Sequence, residues 1–234
     1  MSFSLGLGLL LVAACAALVA SYGRAWRLPD RHNPFAPLSL AETPNWLTRH
    51  KLARLDHDRG ACLSALAQSP FLFDPVPDRD TGDGCGVENA VRVRRTQVAV
   101  GTPFTLSCPA AVSLALWERH ALMPAARQQL GTPITRLDHF GSYACRNVYG
   151  REAGRRSQHA TAQAFDLAGV TLSDGRRITV ARHWRADGGT PEAAFLQQAH
   201  AGGCRFFDAV LGPAYNAAHA DHFHLDRGPW RACR

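Results

Sequence analysis

The sequence predicts an α+β domain in which helices flank a central antiparallel sheet. Three observations lead there. Residues 91–100 and 133–140 alternate as strands do, residues 164–172 and 177–184 read as a hairpin turned at Asp174 and Gly175, and stretches with helical spacing lie before, between and after them. With 234 residues, 46% hydrophobic and 19% charged, the chain has ordinary globular composition, enough for one main domain and a short appendage. It shows no internal repeat and no low-complexity tract.

Taken in order, residues 3–20 form an uncharged apolar run at the lower edge of the length a bilayer-spanning helix needs. Residues 1–22 are therefore expected to be a transmembrane anchor or a signal. Val12, Ala13, Ala14 and Cys15 loosely resemble a lipoprotein cleavage box, but Ala16–Ala20 prolong the apolar stretch, which places a single-pass tether ahead of a lipoprotein signal and both ahead of a cleaved one. Arg24, Arg27 and Arg31 follow the run and no basic residue precedes it, a flank count that would keep the rest of the chain in the cytoplasm. Residues 23–46, with Pro29, Pro34, Pro37 and Pro44, read as an extended linker, and residues 47–234 as the folded domain.

Within that domain, Leu47, Leu52, Leu55, Leu63 and Leu66 allow a helix that Gly60 divides, and Gly82–Gly86 is a loop. Ser107 and Pro109 open a helix carrying Ala111, Leu114, Leu116 and Trp117, which Pro124 kinks or ends. Thr190, Pro191 and Glu192 start another, terminated by Gly202 and Gly203. The block Asp221–Asp226 is predicted to be a short strand with His222, His224 and Asp226 on one face.

Apart from Cys15 there are six cysteines, at 62, 85, 108, 145, 204 and 233, with no CxxC pair of the redox or zinc-ribbon kind. Three disulfides in an oxidising, extracytoplasmic space follow as the preferred reading over six buried thiols, against the flank count. Pairing neighbours in chain order gives Cys62–Cys85, Cys108–Cys145 and Cys204–Cys233, one of about fifteen possible connectivities. The net charge is +7, and a single lysine, Lys51, stands among the basic residues. Such a balance suits anionic surroundings such as wall polymers or lipid headgroups. No dense basic run with interleaved aromatics supports a nucleic-acid partner, and none is expected.

The chemistry concentrates in two segments, Ser157–Asp166 and His219–His224. The first places His159 before a strand that carries Asp166, and the second supplies His222 and His224 with Asp221 beside them. A catalytic zinc, Zn2+, takes three nitrogen or oxygen ligands with a fourth position open, and it lowers the pKa of a bound water to about 7. With eleven histidines in the chain either segment alone is weak, so the argument rests on their conjunction. The neighbouring Arg155 and Arg156 read as a solvated pair, and His219 as an acceptable loop residue or an outer support of the site.

Ser157–Asp166 resembles the S-x-H-x-x-G-x-A-x-D pattern of the D-alanyl-D-alanine carboxypeptidase and hedgehog-like zinc proteins, and His222 with His224 resembles their H-x-H element. Residues 141–147, 157–170 and 212–226 are similar to the bacterial extensin-like C-terminal domain family, over roughly residues 47–234. The resemblance implies a hedgehog or D-Ala-D-Ala peptidase-like fold, with His159, Asp166 and His224 as metal ligands and Arg146 steadying a substrate carbonyl or carboxylate. It implies Asp221 as general base, slightly ahead of His222, with His222 otherwise polarising the carbonyl. The expected function is zinc-dependent hydrolysis of an amide bond in the peptide part of peptidoglycan by a membrane-anchored periplasmic domain; the alternative is an inactive zinc-containing wall-binding or assembly module. Ala162 stands where the pattern has glycine, and Asp221 where relatives often have glutamate.

Overall fold

The apolar run at the start of the chain is one helix, α1 (Ser2–Ala25). The computed structural model describes residues 2–25, 28–185 and 189–234, in two units, Met1–Ala36 and Pro37–Arg234. The anchor expected over residues 1–22 lies partly outside the described side chains. Among the described residues no helix is long and apolar enough to cross a membrane.

The second unit takes in the end of the expected linker. Leu38 and Leu40 are buried, and Gln68 clamps them by donating to the Leu38 carbonyl (3.0 Å) and accepting from the Leu40 amide (3.1 Å). Helices α2 (Thr48–Arg54) and α3 (Arg59–Leu66) follow. The break between them falls at Asp58, whose carboxylate caps α3 by accepting from the Ala61 amide at 2.8 Å.

Strands β1 (Leu72–Val76), β4 (Ala90–Arg95) and β5 (Phe104–Ser107) form a three-stranded antiparallel sheet. Between its first two members the expected loop is instead a small hairpin, β2 (Arg79–Gly82) with β3 (Cys85–Val87).

Helix α4 (Cys108–Trp117) does not stop at Pro124. A π-helical turn, Glu118–Leu122, carries the chain into α5 (Met123–Leu130), with Pro124 in the first turn of α5. A proline there needs no amide partner, and the widened turn absorbs its ring.

The larger sheet has six strands: β6 (Ile134–Gly141), β7 (Ala164–Leu172), β8 (Arg177–Thr179), β9 (Ala209–Leu211), β10 (Phe223–Asp226) and β11 (Ala232–Cys233). Its order is β11-β9-β10-β7-β6, with β8 on β7 beyond the end of β10. Every pair is antiparallel except β11 with β9. The expected class, mixed helices around antiparallel sheets, is the one observed.

Gly169 lets β8 approach β7, because a Cβ there would meet the Ile178 carbonyl at 2.3 Å. The second strand of this hairpin is shorter than expected, ending at Thr179 before the helical turn α6 (Val180–His183). Helix α7 (Pro191–Gly203) begins as read, with the Thr190 hydroxyl accepting from the Ala193 amide at 3.2 Å. Trp117, Phe165, Phe195, Phe206, Phe207 and Phe223 are fully buried between these helices and the sheet, each contributing about 1.5–3 kcal/mol.

Three disulfides are present: Cys62–Cys108, Cys85–Cys145 and Cys204–Cys233. The expected Cys62–Cys85 and Cys108–Cys145 pairs are corrected. Cys62 on α3 faces the first residue of α4 across the core, which leaves Cys85 on the β2–β3 hairpin to reach Cys145 after β6. Space, not chain order, selects partners whose Cα atoms lie about 5.5–6 Å apart.

Glu118 has no exposed surface. Its Oε2 accepts from the Gln97 amide (3.0 Å), while Oε1 has no partner. Burial outweighs the hydrogen bonds from Thr96 and Gln97 and pushes the carboxyl up from 4.5 to about 7. The folded state thus holds this proton more tightly than the unfolded chain, and stability falls as pH rises from 4.5 to about 7, by about 3 kcal/mol, then levels off. Glu118→Gln is expected to gain stability relative to wild type by about 2 kcal/mol between pH 5 and pH 8. Denaturant melts at both pH values check this, and parallel pH profiles for the two proteins would contradict it.

Candidate functional site

Strands β7 and β10 pair so that Asp166 sits directly across from His224. His159 comes from the 3₁₀ turn Gln158–Thr161 just before β7, capped by Ser157, and Ala162 closes the turn in the left-handed region at φ 54°. The glycine position of the sequence pattern is therefore a genuine positive-φ position, filled here by alanine at a cost of about 1 kcal/mol or more. The Ala162 methyl, packed with Val87 and Ala90, offsets part of that cost.

The three side chains meet in a buried triangle. His159 Nε2 lies 3.1 Å from His224 Nδ1 and 3.0 Å from Asp166 Oδ2, and His224 Nδ1 lies 2.9 Å from Asp166 Oδ1. Ligands on a tetrahedral zinc about 2.0–2.1 Å away would be separated by about 3.3 Å, so one nitrogen-oxygen-nitrogen face matches a zinc shell in both size and donor type.

Outer partners aim these atoms. His159 Nδ1 donates to the Ser142 carbonyl (2.5 Å), which directs the lone pair of Nε2 inward. His224 Nε2 donates to Asp226 Oδ2 (2.9 Å), which directs Nδ1 to the same point, and Asp226 Oδ1 is held by the Gly228 amide (2.7 Å).

Burial disfavours charge on Asp166, yet the hydrogen bonds and charges of His159 and His224 prevail and hold its carboxyl well below the usual range. On His224 burial is again opposed, here by Asp166 and Asp226, and the imidazolium persists up to about 9. Electrostatically the site calls for a positive charge at this point, which a proton supplies or a cation can replace.

Of the remaining expected residues, Arg146 and His222 line a cavity of about 420 Å³ whose walls also include His159, His219 and His224. His222 is outside strand β10, which starts at Phe223, but its Nε2 still comes within 3.7 Å of Asp166 Oδ1. It does not belong to the set of donors that lie within 4.8 Å of one another, namely His159, Asp166 and His224. Asp221 is not a wall residue. Its side chain is 56% exposed and its carboxylate accepts from His222 Nδ1 at 2.8 Å.

His219 is buried against the rings of His222 and His224, donates from Nδ1 to Asn216 Oδ1 (2.7 Å), and is lowered to about 4 by burial and then by the neighbouring histidines. It is neutral at ordinary pH, with Nε2 free to accept.

Asp226 was missed as a site residue, although its spacing two residues beyond His224 on a strand put it on the right face. The Ser142 carbonyl was not legible at all, since it is backbone. A second group of ligand-type residues, His200, Cys204 and Cys233, has both sulfurs committed to a disulfide.

Fold and site together define an antiparallel α+β domain with a buried His-Asp-His triangle whose two histidines line an open pocket. The family described as extensin-like protein C-terminus matches residues 60–234, and the chain belongs to it. No curated protein and no solved structure matches the chain.

Asp226→Asn leaves the three inner donors in place but weakens the acceptor that fixes His224. Metal affinity, measured by competition with a chromogenic chelator, is expected to fall about 10–100-fold with the fold intact by circular dichroism. An unchanged affinity would show that Asp226 does not orient His224.

Proposed function

We propose that the chain is an extracytoplasmic zinc-dependent hydrolase that cuts an amide bond in the peptide part of peptidoglycan. The observation that carries this reading is the triangle of His159 Nε2, Asp166 and His224 Nδ1, whose two histidines line an open pocket, with no fourth side chain closing the set among the described residues. Closed coordination would favour a purely structural zinc; an open position favours catalysis. The likeness of Ser157–Asp166 and His222–His224 to D-alanyl-D-alanine carboxypeptidase and hedgehog-like zinc proteins supports the same class. Three disulfides suit an oxidising compartment, and the apolar N-terminal segment suits export or attachment to a membrane facing that compartment.

When bound, zinc would supply Lewis-acid polarisation and activate water at neutral pH. The chain's own residues do the rest. Asp221 accepts from Nδ1 of His222 and so fixes the tautomer in which Nε2 faces the pocket as a base, able to take a proton from the attacking water and return it to the leaving amine. This moves the expected role of Asp221 one residue along: exposed and outside the pocket wall, it acts through His222. Arg146, on the loop after β6, presents a guanidinium to the negative oxygen that develops on the carbonyl. Neutral His219 offers Nε2 as an acceptor for a substrate N–H, and the edge of Phe140 against His222, 5.7 Å between centroids, limits the ring's swing.

The full chain incubated with purified sacculi should release peptide fragments detectable by mass spectrometry. His222→Ala is expected to keep the metal and lose about 10²–10⁴-fold in rate, and Asp221→Asn about 10–100-fold. A larger loss in Asp221→Asn than in His222→Ala would return the base to Asp221. No release by wild type with metal bound would replace the hydrolase with a wall-binding module.

A further inference from the structure

Part of the pocket wall comes from the loop between β6 and β7, which is tied down at several points. Cys145 is bonded to Cys85, the Val148 amide donates to the Arg155 carbonyl (3.0 Å), the Ser157 amide donates to the Arg146 carbonyl (3.1 Å), and Asn147 bridges to Arg156. Arg146, Arg155 and Arg156 all line the pocket from this loop.

Their charges are not equally committed. Arg156 donates from Nε to the Asp83 carbonyl (2.5 Å) and from Nη1 to Asn147 Oδ1 (2.9 Å), so it is a structural brace and not half of a solvated pair. Arg146 and Arg155 have no carboxylate within ion-pair distance among the described residues. Asp226, the one acid on the pocket wall, is spent on His224 and the Gly228 amide.

Arg155 is nevertheless held in place. Its Cζ lies 5.9 Å from the centre of the Trp230 ring, a cation–π contact that engages no N–H of the guanidinium in a hydrogen bond to a carboxylate. An arginine on the pocket wall with no carboxylate partner among the described residues suits a planar anion, which its guanidinium can take in two parallel hydrogen bonds.

We propose that the pocket selects an anionic peptide and that Arg155 holds a substrate carboxylate set apart from the amide that is cut. This rests on the peptide-hydrolase reading and makes Arg155 the residue that sets specificity. The pocket would therefore distinguish stem peptides by their free carboxylates and not only by the amide.

The test uses the full chain with soluble muropeptides, either native or with their carboxylates converted to primary amides by carbodiimide and ammonia. Binding is followed by calorimetry and cleavage by mass spectrometry. Wild type is expected to bind the amidated peptides about 10–100-fold more weakly than native ones. Arg155→Gln should weaken native peptides by a similar factor while hardly changing the amidated ones, and Arg155→Lys should restore part of the loss.

Equal wild-type binding of native and amidated peptides would overturn the proposal, as would an Arg155→Gln loss of the same size for both. The two readings fail separately. Carboxylate-dependent binding with no cleavage would sink the hydrolase and keep the clamp, whereas equal cleavage of native and amidated peptides would sink the clamp and keep the hydrolase.

Discussion

The register of β7 against β10 is the constraint from which the site follows. Antiparallel pairing puts Asp166 opposite His224 and Leu225 opposite Phe165, so the polar pair shares one position of the ladder and the apolar pair the next. Because side chains alternate along a strand, a slip of one residue would carry Phe165 and Leu225 out of the core and break the Asp166–His224 contact at once. The aromatic core therefore selects the site register. Leu225 and Phe165 have no exposed surface, and each contributes about 1.5–3 kcal/mol only while the pairing is kept.

Gathering His159, Asp166, His224 and Asp226 below the surface is unfavourable unless every donor and acceptor is matched. The matching is nearly complete. The Ser142 carbonyl serves one imidazole, Asp226 serves the other, and the Gly228 amide serves Asp226 in turn. What these outer partners direct at one point is the inner face formed by His159 Nε2, Asp166 and His224 Nδ1, which a shared proton or a cation can satisfy. Around that point the pocket wall combines His219 and His222 with an arginine-bearing loop pinned by Cys85–Cys145.

Much of this was legible in the sequence, for reasons that can be named. His159 and Asp166 were readable because a turn followed by a strand fixes their relative placement locally. The helix beginning at Thr190 was readable from its cap and first-turn proline, and the β7–β8 hairpin from Asp174 and Gly175. The disulfide partners of Cys62 and Cys85 were not, because they depend on which helices face each other across the core. The passage of the helix through Pro124 needed a π-helical turn that no local pattern announces. Asp221 is favoured in the sequence as a base because a carboxylate can take a proton from zinc-bound water; its exposed side chain before β10, bonded to His222, depends on a turn that the sequence does not fix. Arg155 looked like surface charge because its partner, the Trp230 ring, lies far along the chain.

The central claim is that the triangle of His159, Asp166 and His224 holds one catalytic zinc. Elemental analysis of the full chain, purified without chelators and dialysed against buffer containing a trace of zinc, tests it most directly when wild type and His159→Ala are compared. The account predicts one zinc per wild-type chain and essentially none in the variant. Wild type free of metal, or full occupancy in His159→Ala, would contradict it.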